Sequence, residues 1–371
     1  MNWWTRTASL ATPTQVQSES WSYTPPHAAP QTFELKVRTG KPLDVMGLKQ
    51  TTLDELRDYA AFLAQTAQQL YAQDVAKKEV KQCPCCHTPT TTSAEVLRIF
   101  DVAYVRCSAC GHVFIGAQPD SQQVTDLFEA SADHSQIYID PETLEVRLTQ
   151  VVAPKVNWVL ETYQQVIGES PTTCIDVGAG GGHFVAGMHR QGIKARGFEL
   201  SHASRAFAKQ AFDLELVSED FLATDNNSVD IVTMWGLLEY TPEPRQFLEK
   251  ARKLLQPKHG LLVVEVPRFD ALGTIAQAEN PKNIARHMDP TSHLNCFSDS
   301  SLATALVETG FRPVAVWYFG MDAYELLVQL AIRLNNPEIL EDCGDMIPAL
   351  QASCDAGRQC DDLIMAAIPE A

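Results

Sequence analysis

The chain has 371 residues, 45% of them hydrophobic and 20% charged, and a formal charge of −17. Length and apolar content suffice for two domains, while the acidity repels a phosphate backbone and argues against a nucleic-acid partner. The start lacks an apolar leader and no window reaches the roughly 20 apolar residues of a membrane span. Ten cysteines without a leader therefore suggest a reducing, cytoplasmic setting in which thiols bind metal rather than pair.

Residues 1–50 carry Pro, Ser, Thr and Gln without sustained periodicity and read as an extended or partly disordered arm. Within 51–80, Thr52-x-x-Glu55 is a capping box that opens an amphipathic helix of about six turns. Its residues Leu53, Leu56, Ala60, Leu63, Ala67 and Leu70 recur at steps of three and four. Such a narrow seam suits packing on its own chain, or a homodimer through the 52–75 helix.

Residues 81–120 hold Cys83-Pro-Cys85-Cys86 and Cys107-Ser-Ala-Cys110-Gly111, two C-x2-C pairs with 20 residues between them. That spacing predicts a small zinc ribbon, with Cys83, Cys86, Cys107 and Cys110 closing a tetrahedral thiolate shell around a structural zinc. Gly111 permits the positive φ of a knuckle turn, and the extended Val102–Val105 run supplies ribbon strand. His87 and His112 read as neighbours of the site. A helical linker, 121–170, follows. Ser121 should cap a short helix bearing Val124, Leu127 and Phe128, and a second helix over 142–168 is restarted or kinked at Pro154.

Across 171–371, strand-like runs at Thr173–Val177, Ala195–Leu200, Leu214–Val217, Asp230–Trp235 and Leu261–Val266 alternate with helices at 182–191, 202–212 and 242–256. Two further strands, Phe311–Phe319 and Asp362–Ile368, should close the sheet. The first follows a helix capped by Ser298 and ended by Gly310; a helical insertion over 322–360 leads to the second. The pattern predicts an α/β fold, a doubly wound seven-stranded sheet of Rossmann-like type preceded by a helix and the ribbon.

Thr173 to His183 is a buried strand running through Gly178, Gly180, Gly181 and Gly182 into a helix, which places bare backbone at the switch point of such a sheet. The next strand ends at Glu199, a carboxylate that can accept ribose hydroxyls from NAD or from S-adenosylmethionine alike. His183 occupies the position of the third glycine in a dinucleotide fingerprint, which makes NAD the awkward fit.

The spacing Asp176-x-Gly178-x-Gly180-x-Gly182 resembles the acidic-x-G-x-G-x-G loop of class I S-adenosylmethionine-dependent methyltransferases. Asp230–Pro244, Phe247–Pro257, Gly260–Pro267, His293–Ser298 and Glu308–Phe311 are similar to the later motifs of that superfamily. The likeness spans roughly 81–320 and is greatest to bacterial enzymes with a four-cysteine module, several of which act on carbohydrates. It implies that S-adenosylmethionine is held by Asp176, Gly178, Ala179, Gly180, Gly182, Glu199, Leu200, Asp220, Phe221 and Trp235. Two departures fall on the acceptor side: Glu239-Tyr240 stands where Glu-His is common, and Pro267-Arg268 where Pro-Asn is common.

The segment 268–297 is where this fold builds its acceptor pocket, and it contains His287-Met-Asp289-Pro-Thr-Ser-His293. A hydroxyl or carbon acid must lose a proton as it takes the methyl group, which calls for a base of near-neutral pKa. His293 is the first choice and His287 the second; both could instead only shape the loop. The reading is methyl transfer to a hydroxyl or carbon of a sugar, glycan or sugar-like small molecule. A nicotinamide oxidoreductase and a non-catalytic ribbon adapter that binds S-adenosylmethionine are the alternatives.

Overall fold

The computed structural model describes residues 4–7, 16–25, 29–41, 43–49, 52–119, 141, 143–225, 228–278 and 287–370. The N-terminal segment contributes strands β1 (Trp4–Thr7), β2 (Gln17–Tyr23) and β3 (Gln31–Thr39). The cysteine module contributes β4 (Lys77–Glu79), β5 (Ala94–Ile99), β6 (Val102–Arg106), β7 (Val113–Ile115) and β8 (Ala117–Pro119). Beyond them come β9 (Thr173–Val177), β10 (Lys194–Phe198), β11 (Ile231–Trp235) and β12 (Leu261–Pro267). The last three are β13 (Asn295–Cys296), β14 (Phe311–Phe319) and β15 (Asp362–Pro369).

One sheet runs β1-β2-β3-β14-β15-β12-β11-β9-β10. Strands β10, β9, β11 and β12 are parallel, because helices His183–Arg190, His202–Phe212 and Pro244–Leu254 carry the chain back between them. β15 lies antiparallel between β12 and β14. The order turns outward on either side of β9, so a crevice opens above its carboxyl end. The run Leu214–Val217, expected as a strand, is reduced to a bridge between Val217 and Phe198 on the outer edge of β10. Asp213 takes a left-handed cap just before it, and Ser218 to Asp220 turn away after it, leaving room for one pair.

Within the segment expected as an extended or partly disordered arm, the described strands extend the main sheet: β3 runs parallel to β14, and β2 and β1 add antiparallel pairs. Phe33, Leu35 and Val37 alternate with polar neighbours along β3, so one face is buried in the period-two manner of a strand. Trp4, Trp21 and Tyr23 pack beside them over helix Asp299–Glu308, with Trp4 Nε1 donating to Thr304 Oγ1 at 2.9 Å and Tyr23 OH to Glu308 Oε1 at 2.6 Å. Each such aromatic contributes about 1.5–3 kcal/mol of burial, enough to order a polar segment.

Helix Leu53–Leu70 begins with the expected capping box, Thr52 and Glu55 each satisfying the other's backbone N–H. Part of its seam is buried by its own chain: Ala60 shares a buried cluster with Tyr324 and Val328 of helix Asp322–Leu334, and Ala67 shares one with the ribbon's Ile99 and Tyr104. Pro154 restarts the chain into helix Ala153–Ile167 after one π-helical turn at Leu148–Val152. The expected helix after Ser121 lies outside the described residues. No described helix is long and apolar enough to cross a membrane.

The ribbon is continuous with the body. β5, β6 and β7 form a sheet whose fourth strand is β13, from the segment after β12. Cys83, Cys85, Cys107 and Cys110 belong to the same buried cluster as Trp21, Phe114 and Phe297.

Candidate functional site

The four sulfurs of Cys83, Cys86, Cys107 and Cys110 lie within 4.8 Å of one another, with Cys83–Cys110 at 3.6 Å and Cys86–Cys107 at 3.7 Å. A tetrahedron with metal–sulfur bonds of about 2.3 Å has edges of roughly 3.8 Å, so the donor set fits zinc in size and softness. The knuckles are built by the backbone: Cys83 and Cys107 carbonyls accept from His87 N and Gly111 N, and His87 and Gly111 take positive φ. Cys85 stays outside the shell; its carbonyl accepts from Arg245. His112 is a neighbour, as expected. Its ring is fully buried, its Nε2 lies 3.0 Å from Asn295 Oδ1, and burial pushes its pKa down to about 4.

At the carboxyl end of β9 the chain turns through Gly178, Gly180 and Gly182, all at positive φ. A side chain at Gly178 would press on Leu237, whereas the space over Gly180 is open. Both oxygens of Glu199 are held by this turn and the next helix: Gly180 N donates to Oε2 at 2.8 Å and Ser201 N to Oε1 at 2.7 Å. The carboxylate is thus aimed before any ligand arrives. Asp176 is buried beneath the loop, where Thr233 donates to Oδ1 at 2.6 Å and Oδ2 has no partner among the described residues. Burial pushes its pKa up to about 7. Ala179 is half-buried and Leu200 exposed, both beside the open turn. Asp220 is exposed and accepts from Leu222 N, while Phe221 is buried against Phe198 and Phe247. Trp235 ends β11 against Phe184, its Nε1 unpartnered among the described residues.

His183 opens its helix with the ring buried between Phe207 and Phe212, and burial lowers its pKa to about 4. A neutral ring in that position brings no charge to a phosphate.

The two expected bases sit together, their rings 6.3 Å apart. His287 Nε2 lies 3.0 Å from Asp361 Oδ2. His293 stacks on Tyr240 at 5.0 Å, and its Nδ1 is 3.0 Å from Ser292 Oγ. Ser292 spends its own proton on Asp289 Oδ2 at 2.8 Å, so it accepts from Nδ1–H and the neutral ring carries its lone pair on Nε2. The ribbon, the preceding helix and the body together fix the same loop. Tyr104 OH donates to His293 O, Tyr71 OH to Pro290 O, and Asn295 Nδ2 to Thr241 O. Arg268, at the second departure, is buried and spends its guanidinium on Arg358 O, Cys360 O and Asp270.

Sequence reasoning missed a charged band along the carboxyl ends of β11, β12 and β14 and the amino end of β15. Lys155 reaches Glu265 at 2.5 Å and lies over Trp235 at 4.8 Å; Lys41 lies over Phe319 at 4.7 Å, with Asp362 nearby. Glu239, beneath the turn after β11, is buried with Oε2 unpartnered among the described residues, and burial raises its pKa well above the carboxylate range. A recess of about 470 Å³ lined by Thr173, Lys194, Ser228 and Val229 lies at the opposite end of the sheet, away from these groups.

Residues 152–316 match the family model described as a methyltransferase domain. The ubiquinone biosynthesis O-methyltransferase of Cupriavidus pinatubonensis is 25% identical over 162 residues, covering 41% of this chain and 61% of its own length. The protein of the same name from Vibrio campbellii is 28% identical over 119 residues, covering 30% of this chain and 49% of its own. The chain thus spans about half to three fifths of the length of these relatives. Among solved structures, magnesium protoporphyrin IX methyltransferase from Synechocystis, with bound S-adenosylhomocysteine, is 14% identical at a TM-score of 0.45, covering 68% of this chain and 100% of that one.

Proposed function

We infer that this chain, whose residues 152–316 are a methyltransferase domain, moves the methyl group of S-adenosylmethionine onto a hydroxyl of a small molecule. The observation that carries the reading is the Glu199 carboxylate held beside the glycine turn by Gly180 N of that turn and Ser201 N of the next helix. Gly178, Ala179, Gly180 and Gly182 would let the amino-acid tail approach the backbone, and Glu199 would accept the ribose hydroxyls. Leu200, Asp220 and Phe221 would flank the adenine, Trp235 would wall the site, and Asp176 would brace the loop. The sulfonium supplies an activated methyl group, so the chain's task is to hold an acceptor oxygen in line and relieve it of a proton. His293 Nε2 is proposed as that base, with Ser292 and Asp289 fixing its tautomer and His287 in reserve.

An oxygen acceptor is favoured over carbon because the curated relatives are named as O-methyltransferases. A sugar or sugar-like acceptor rests on the sequence resemblance and the cysteine module alone. The nicotinamide reading is disfavoured because His183 fills the helix start that a pyrophosphate would occupy. Cys83, Cys86, Cys107 and Cys110 would hold a structural zinc.

Calorimetric titration of the whole chain should give binding of S-adenosylhomocysteine and none of NAD; the reverse would overturn the assignment. Glu199→Ala should weaken S-adenosylhomocysteine binding by about 2–3 kcal/mol through lost charge-assisted hydrogen bonds and a slackened turn. Unchanged affinity would place the ribose elsewhere. Labelled-methyl transfer should then reach sugar hydroxyls. Transfer to phenols with none to sugars would sink the carbohydrate part, and transfer to neither would favour an adapter.

A further inference from the structure

We propose that Lys41 receives an anionic group of the acceptor, a carboxylate or a phosphate, at the far end of the acceptor cleft; this rests on the methyltransferase reading above. Lys41 follows β3, the strand that the N-terminal segment adds beside β14. Its backbone is fixed there: Gly40 N donates to Tyr318 O at 2.8 Å and Trp317 Nε1 to Gly40 O at 2.9 Å. The side chain is only 8% exposed, and among the described residues its ammonium has no hydrogen bond or ion pair. What it has is the face of Phe319, 4.7 Å away.

A buried, unpaired ammonium is costly. Burial first, then the charge of Lys155, pulls its pKa down to about 8, while Glu265 and Asp362 pull the other way. Glu265 is already engaged by Lys155. The arriving anion would supply the missing partner through a charge-assisted hydrogen bond.

Position separates this role from that of a base. Trp235, Glu265, Asp362 and Phe319 end neighbouring strands, and their register puts them on one face of the sheet. Three strand spacings of about 4.8 Å separate β11 from β14, roughly 14 Å in all. Lys41 is therefore remote from an atom methylated beside Trp235 and suited to the opposite end of the same molecule. On this account the added strands serve acceptor selection as well as stability.

The test uses the full chain with isotopically labelled lysine, followed by NMR over pH, with sodium acetate and inorganic phosphate as probes. Lys41→Met, or Lys41→Gln if the first variant fails to fold, identifies the signal. One of the two anions should raise the Lys41 midpoint by about one pH unit or more, and which one does so names the group. A midpoint moved by neither anion at saturation would mean that Lys41 only covers Phe319, and overturns the proposal. The titration runs with or without S-adenosylhomocysteine, so failure of that ligand to bind would strike the methyltransferase reading separately.

Discussion

His293→Ala is expected to lower methyl turnover by about 10²–10⁴ while leaving S-adenosylhomocysteine affinity unchanged. The expectation comes from how tightly the ring is held. Asp289 accepts from Thr291 N, Thr291 Oγ1 and Ser292 Oγ, so the turn is set before the imidazole is added. His293 N donates to Asp289 O at 2.7 Å and His293 O accepts from Tyr104 of the ribbon. A base positioned by its neighbours at both backbone and ring loses little orientational freedom on reaction. Ser292→Ala should cost less, since it frees the tautomer without removing the ring. His287 differs in having Nε2 against Asp361, a carboxylate that also accepts from Met321 N. Turnover within a few-fold of the parent in His293→Ala would make that histidine architectural and leave His287, or the acceptor's own acidity, to explain proton loss.

Cys107→Ser is expected to abolish binding of one zinc per chain and to destabilise the fold by several kcal/mol. The ribbon has too small a core to hold its two knuckles without a cross-link, and Cys107 sits opposite Cys86 at 3.7 Å in the cluster. The loss should also reach the acceptor side. β7 pairs with β13, His112 meets Asn295, and Tyr104 holds the His293 carbonyl, so a loosened ribbon slackens the loop bearing the proposed base. Metal analysis of the parent, urea unfolding and turnover should move together. Less than half an equivalent of zinc in the parent, with no iron, would remove the premise. Full turnover in the metal-free variant would show that ribbon and loop are independent.

Sequence pattern carried the parts where local chemistry dictates geometry. The C-x2-C pairs, the capping box at Thr52, the cap at Ser298 and the glycine turn were legible because each depends on residues a few positions apart. Phe311–Phe319 was legible for the apolar run from Val314 to Phe319, and β14 has those bounds. The strands β2 and β3 were not read, although Phe33, Leu35 and Val37 carry a period of two; the surrounding Ser, Thr and Gln masked it. β13 is two residues long, and no local pattern announces a strand whose partner lies in the ribbon. The Asp289–Ser292–His293 chain had its residues in view but not its hydrogen bonds. Lys41 could not be found at all, since only the pairing of β3 with β14 brings it to the carboxyl end of the sheet.

That same pairing bears on how the chain comes to be folded. Lys36 in β3 lies opposite Ala315 in β14, so 279 of the 371 residues separate the two partners. At ribosomal speeds of about 5–20 residues per second, the opening strands emerge on the order of tens of seconds before the strand they lean on. During that wait Trp21, Tyr23, Phe33 and Leu35 have no sheet or helix to cover them. Contacts so distant along the chain close slowly, and an aromatic hairpin left open meanwhile is a surface for holdase chaperones or for other nascent chains. Premature termination before Phe311 would make that exposure permanent.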